Sequence, residues 1–292
     1  KARTGWRTRR SGNGAGRFVK LASLIALPIV VIAIGAAVMR EALKEPRMGS
    51  NYCTASSTPR HNAAVFIDVS FTTDTSASQD RDLTRALHEA YDTLPANGRL
   101  SVFTTANATV GSLPVPVLSV CRPPANEPEQ AALGLGSKPA PYLAHQAEEA
   151  RKAFAASVAA LLAQAKDREQ IAKDSPILEQ VQGISRFRFD GPMKSLIVYT
   201  DGLQNSESFQ FCQSPGHMPP IALFTQKPAY RFVKPDSFEG VAVHVLLVEF
   251  GTLPSKLLPY CTSDEVRRFW PDYFKTNGAA SVQFTRLRYG AL

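Results

Sequence analysis

Ala63-Ala-Val-Phe-Ile-Asp68-Val-Ser70-Phe-Thr72-Thr-Asp74 is the stretch on which the fold turns. A short apolar run bounded by polar residues reads as a buried strand. This one ends in an acid, and hydroxyls follow at alternate positions, giving Asp68, Ser70 and Thr72. Carboxylate and hydroxyl oxygens are the ligands that hard cations such as Mg2+ prefer. Far downstream, Lys194-Ser-Leu-Ile-Val-Tyr-Thr-Asp201-Gly202 repeats the pattern: a buried strand that ends in an acid, here before a glycine turn.

Together the two stretches resemble the von Willebrand factor type A (VWA) family. The resemblance covers roughly residues 60–290. Asp68, Ser70 and Thr72 fit that family's Asp-x-Ser-x-Ser motif, with Thr in place of the last Ser, so the hydroxyl is kept. Asp201, within Thr200-Asp201-Gly202, fits its later Asp, and Ser175 is the candidate for its middle-loop ligand. The implied cofactor is Mg2+, or Mn2+ or Ca2+, with a free coordination position for a carboxylate of a partner protein. The competing reading has both acids capping loops through backbone N–H groups. Ser175-Pro176 also reads as a helix start, with Ser capping and Pro in the first turn.

Working outward, Asp80 to Leu94 places Leu83, Leu87, Ala90 and Leu94 at helical spacing. Arg99–Ala106 and Val115–Cys121 read as two strands joined as a hairpin. Residues 122–142 read as an irregular insert, and 143–172 as a long amphipathic helix packed on the sheet. Val241–Phe250 is near-continuously apolar, as a strand inside a parallel sheet would be. Ser263–Thr276 reads as a helix, and Ser281–Leu287 as an edge strand. Alternating strands and helices indicate an α/β fold. The resemblance makes it an open, doubly wound, mostly parallel six-stranded sheet with one antiparallel edge strand and the order 3-2-1-4-5-6. The order then reverses between the strands that end at Asp68 and Asp201. Ligands bind at such a switch point.

The net charge of +8 sits in the first 50 residues, with 10 Lys/Arg and 2 Asp/Glu; the remainder is neutral. No basic patch on the folded part argues for nucleic acid. Leu21–Met39 is an uncharged run of 19 residues, about the length of a membrane-crossing helix. Seven basic residues precede it, so the N-terminus is expected in the cytoplasm and the domain outside it, in the periplasm if the cell is Gram-negative. A cleaved signal peptide is the competing reading; the run is longer than the usual apolar core of one and lacks a clean small-x-small site. The expected organisation is a basic tail (1–20), a transmembrane helix (21–39), a linker (40–62) and a VWA-like domain (63–292).

Cys53, Cys121, Cys212 and Cys261 all fall on the outer side and form no CxxC pair. Two disulfides are expected in an oxidising compartment, against four buried thiols. In the strand order that the resemblance implies, Cys121 ends at the bottom of the sheet, where Cys53 can reach it. Cys212 and Cys261 lie beyond the upper ends of neighbouring strands. The pairs expected are therefore Cys53–Cys121 and Cys212–Cys261.

No residue is read as catalytic. Ser70 stands where an Asp-x-Asp phosphatase has its second acid, and the chain has neither a Gly-rich phosphate loop with Lys nor a Gly-x-Ser-x-Gly elbow. The five histidines show no paired spacing. The expectation is a membrane protein that is not an enzyme and binds a protein partner through the metal. The alternative is a metal-independent structural subunit of an envelope assembly. Leu203–Gly240 leaves the strand after Asp201 and is rich in aromatics; any one of them is expected first to cover the sheet where the family's usual helix is missing, and at least one of Phe209, Phe211, Tyr230 and Phe232 is expected at the rim as a partner contact, with the long helix next.

Overall fold

The computed structural model describes residues 48–54, 60–71, 74–105, 113–167, 174–212, 218–249, 261 and 263–290. The expected membrane span at 21–39 and the basic tail lie outside these. Among the described residues no helix is long and apolar enough to cross a membrane.

Six strands form one sheet in the order β3-β2-β1-β4-β5-β6. They are β1 (Asn62–Ile67), β2 (Arg99–Thr104), β3 (Leu118–Cys121), β4 (Met193–Thr200), β5 (Ala242–Glu249) and β6 (Ser281–Arg288). All neighbours are parallel except β2 and β3, which pair antiparallel. This is the VWA-like arrangement that the two Asp-ending strands implied. Every residue of β1 is buried. Its alternation divides the core: Ala64 and Phe66 face one layer, Ala63, Val65 and Ile67 the other. A strand buried on both faces needs no polar side and reads as an unbroken apolar run.

Helix α1 (Ala77–Asp92) covers the second layer. Ser76 and Gln79 form a reciprocal capping box at its start, which satisfies two otherwise unpaired amides. Leu83, Leu87 and Tyr91 recur at helical spacing and are buried. The short α2 (Glu127–Ala132) lies in the stretch expected to be irregular. Asn126 caps it, accepting from the Glu129 amide at 2.9 Å; Asn-x-x-Glu was the signal for it in the sequence. The long helix α3 runs Ala140–Ala165, not 143–172. It starts earlier because Pro141 sits in its first turn, where the missing N–H costs nothing. It packs on α1: Phe154 stacks on Tyr91 with ring centroids 4.4 Å apart, and Arg151 pairs with Asp92 at 2.7 Å.

On the opposite face lie α4 (Ile177–Arg186), α5 (Ile221–Phe224) and α6 (Ser263–Thr276). Strand β3 starts at Leu118, three residues later than Val115. Pro114 and Pro116 lack the N–H that a ladder needs, so the segment before β3 stays outside the sheet. Both expected disulfides form. Cys53–Cys121 joins residues 68 apart in sequence, and Cys212–Cys261 residues 49 apart.

Candidate metal centre

Strands β1 and β4 end side by side, the Asp68 amide donating to the Tyr199 carbonyl at 2.9 Å. The Asp68 side chain is fully buried. Its carboxylate collects donors from four separate segments. Oδ1 accepts from the Ser70 amide (3.1 Å), Ser70 Oγ (2.8 Å) and Thr105 Oγ1 (3.3 Å). Oδ2 accepts from Ser175 Oγ (2.7 Å) and Thr200 Oγ1 (3.1 Å).

Ser175 therefore meets Asp68, as the middle-loop position should. It does not cap α4. Pro176 occupies the cap position without a side-chain bond, and the Leu178 amide is satisfied instead by Gln204 Oε1 at 2.8 Å. Ser175 is spent on Asp68, and two backbone bonds with Asn205, both 2.8 Å, hold its loop against the segment after Asp201. Buried Gln204 and Ser206 both bond Glu179 of α4, so this segment is fixed to the helix that Ser175 precedes.

Asp201 accepts from the Leu203 amide at 2.9 Å. The turn beyond it needs glycine. Gly202 has φ +78°, and a Cβ there would lie 2.6 Å from Val266 Cγ1 and 2.8 Å from Trp270 Nε1. That indole donates to the Gly202 carbonyl at 3.1 Å.

Burial pushes both carboxyls above the usual range. For Asp68 the bonds from Ser175, Ser70 and Thr200 oppose it; for Asp201 the charge of Asp68 adds to it, and its pKa rises to about 8. Among the described residues neither acid has an ion pair or hydrogen bond to Arg, Lys or His. Asp68 is buried and Asp201 half-buried, and two such neighbouring acids without a cation are unfavourable as a charged pair. The hydroxyls around them suit a hard cation. Each donates its proton to Asp68, which leaves oxygen lone pairs for a metal, although Thr105 Oγ1 and Thr200 Oγ1 each also accept a backbone amide, from Val69 and Gly202, at 2.9 Å. The described residues hold no cluster of three or more His, Cys, Asp or Glu, so any metal here depends on hydroxyl oxygens as well as the two acids. Thr72, the remaining expected ligand, lies outside the described residues. Thr105 and Thr200 were not anticipated as partners of Asp68. Thr200 stood beside Asp201 in the motif, but nothing local marked Thr105, which only the β1–β2 pairing brings in.

The four aromatic candidates for the rim divide. Phe209, Phe211 and Tyr230 are buried, each with its ring centroid 5.3–5.7 Å from Phe224. They fill the layer that a regular helix would fill, since the described residues of Leu203–Gly240 hold only α5 and a turn of 3-10 helix at Pro228–Phe232. Phe232 alone is exposed, at 58 %. Its neighbours Lys234 and Asp236 bond the second half of α4, away from the end that carries Ser175. Phe224→Ala should cost about 3–5 kcal/mol, whereas Phe232→Ala should stay within about 0.5 kcal/mol. Chemical denaturation of the two variants checks this.

Fold and site make this an open α/β domain with strand order 3-2-1-4-5-6 and a cluster of hydroxyls and carboxylates at its switch point. No family model and no curated protein matches the chain. Among solved structures it is similar to proximal thread matrix protein 1 of the mussel byssus (TM-score 0.34, 10 % identity, covering 77 % of this chain and 43 % of that one). It is also similar to the human COPII-coat protein Sec24c (0.43, 12 %, 80 % and 30 %) and to the VWA domain of SpRpn10 (0.27, 9 %, 80 % and 90 %). The chain thus spans less than half the length of the first two. All three scores are below 0.5.

Proposed function

We propose that the chain is a single-pass membrane protein whose extracytoplasmic VWA-like domain binds a protein partner through a divalent cation and catalyses no reaction. Asp68, Ser70, Thr72, Ser175 and Asp201 would hold the ion, Mg2+ first. The observation that carries this reading is a pair of neighbouring acids, Asp68 buried and Asp201 half-buried, with no cationic partner among the described residues, set among hydroxyls from separate loops. Neutral hydroxyl ligands would leave the ion with residual positive charge, and a partner carboxylate could complete its shell. The membrane placement rests on Leu21–Met39 and the basic residues before it.

Titration calorimetry of the purified protein with Mg2+ or Mn2+ should show one site, absent in Asp68→Ala. Unchanged binding in that variant sinks the metal assignment. Crosslinking in native membranes should recover a partner in Mg2+ and lose it in chelator. Recovery that ignores chelator favours the alternative, a metal-independent structural subunit, for which the complete set of hydrogen bonds on Asp68 speaks.

A further inference from the structure

The two edges of the sheet are treated differently. Strand β3 has four residues, and residues 48–53 lie along its outer side: the Cys121 amide donates to the Asn51 carbonyl at 2.9 Å, and Cys53 is bonded to Cys121. Strand β6 has eight residues, and its register with β5 is unbroken over all of them. Among the described residues no backbone group bonds its outer side. In a parallel ladder about half of an edge strand's amides and carbonyls point away from the sheet. Edges are usually blunted by shortness, a bulge, proline or charged side chains, lysine above all; Ser281-Val-Gln-Phe-Thr-Arg-Leu-Arg288 has no bulge, proline or lysine, and its only charges are Arg286 and Arg288 at its end.

Both faces beside that edge are furnished. On one, Val282 and Phe284 are half-buried against the core, and their open sides continue into Arg286 and Arg288. Arg286 is neutralised by Glu249 at 2.6 Å. Arg288, and Arg268 on α6, are exposed and form no ion pair among the described residues. On the other face, Ser281 and Gln283 line a cavity of about 320 Å3 beneath α1, with His61, Glu89 and His244 in its wall. A free ladder edge beside a side-chain pocket is the layout by which domains accept an extended peptide as an extra strand.

We propose that the outer edge of β6 takes up an extended segment of a partner protein, with apolar side chains beside Val282 and Phe284 and carboxylates toward Arg288. The unpaired arginines select an acidic segment and disfavour a second copy, which would bring the same charges to the junction. Two strands, β4 and β5, separate the site from β1, and it works without the metal, so it stands or falls separately from the metal site.

The probe is a fluorescent ten-residue peptide of alternating Val and Glu, followed by anisotropy with the purified full chain in EDTA. Saturable binding is expected, at least tenfold weaker for a Val–Lys peptide and for a Val–Glu peptide with alternate amides N-methylated. Arg288→Glu should weaken the Val–Glu peptide and strengthen the Val–Lys one. Phe284→Lys should weaken binding at least tenfold, and saturating Mg2+ in place of EDTA should leave it unchanged. Amide exchange in β6 should slow with peptide bound. No binding, indifference to N-methylation, or indifference to Arg288→Glu overturns the proposal. So does self-association of the chain that Phe284→Lys abolishes, which would assign the edge to a second copy.

Discussion

Saturating Mg2+ at pH 8 is expected to raise the melting temperature of the metal-free protein by about 5–10 °C, and lowering the pH to 5 without metal should also raise it. Both effects come from Asp68 and Asp201. Their carboxyls are held above the ordinary range in the folded chain, Asp201 at about 8. For an acid, a raised folded pKa means that the folded state binds more protons than the unfolded state in the window between the two values. Stability then falls as pH rises through that window, here from about 4 to about 8. The direction is opposite to that of Glu249, whose pKa is lowered despite burial by Arg286 and Arg267. Its contribution is present above the ordinary glutamate value and is lost as pH falls through the folded one, so the gain on acidification should reverse in strong acid. A bound cation removes the penalty of the charged pair. At a hundredfold excess over Kd it adds about 2.7 kcal/mol, and each kcal/mol is worth about 2–4 °C in a domain of this size. At pH 5 the metal must displace protons, so its increment should shrink. Thermal scans at pH 5 and 8, with and without Mg2+, decide it. A melting temperature that ignores metal at pH 8 would count against the site.

Gly202→Ala should lower the melting temperature by about 6–15 °C, and Gly240→Ala by only about 3–6 °C. Both glycines have positive φ, +78° and +74°. Either substitution therefore meets the left-handed penalty, about 1–2 kcal/mol. Only Gly202 also meets neighbours: Val266, Trp270 and Leu247 all lie within 3.0 Å of the new Cβ, whereas nothing lies within 4 Å at Gly240. Moving the Trp270 ring endangers its bond to the Gly202 carbonyl and disturbs a side chain that is fully buried. Overpacking of this kind adds about 1–3 kcal/mol. Equal effects at the two positions would mean that the turn after Asp201 yields easily. It would then be a poor support for a ligand.

The sheet was legible because its central strands are buried on both sides. β1, β4 and β5 could only be apolar runs, and their ends carried the two acids that mark the switch point. Edges of elements were less legible where prolines decided them. Pro114 and Pro116 delay β3, while Pro141 advances α3, and a periodic pattern alone does not distinguish a proline that blocks from one that starts a helix. Ser175 was found for its position but also credited with a cap it does not make. A serine before a helix has two possible acceptors or donors, and only the fold brings Asp68 within 2.7 Å of it. Phe209, Phe211 and Tyr230 take the covering role that was the first expectation for any one of these rings, and of the four only Phe232 is open to solvent. Irregular backbone suggests a surface loop, yet this loop replaces a helix as the cover of the sheet, so its aromatic residues are the core. Thr105 carried no local sign at all.

The first disulfide has a mechanical consequence. Tension applied between the two ends of the chain crosses the covalent bond from Cys53 to Cys121 and bypasses everything threaded between them. That bypassed loop contains β1, α1, β2 and β3, and with them Asp68, Ser70 and Thr72. Cys212–Cys261 shields β5 in the same way. Stretched in an oxidising medium, the domain should release a contour shortened by both loops, and reduction should restore the missing length. The segment bearing the first ligands would remain slack under a load that unravels β6.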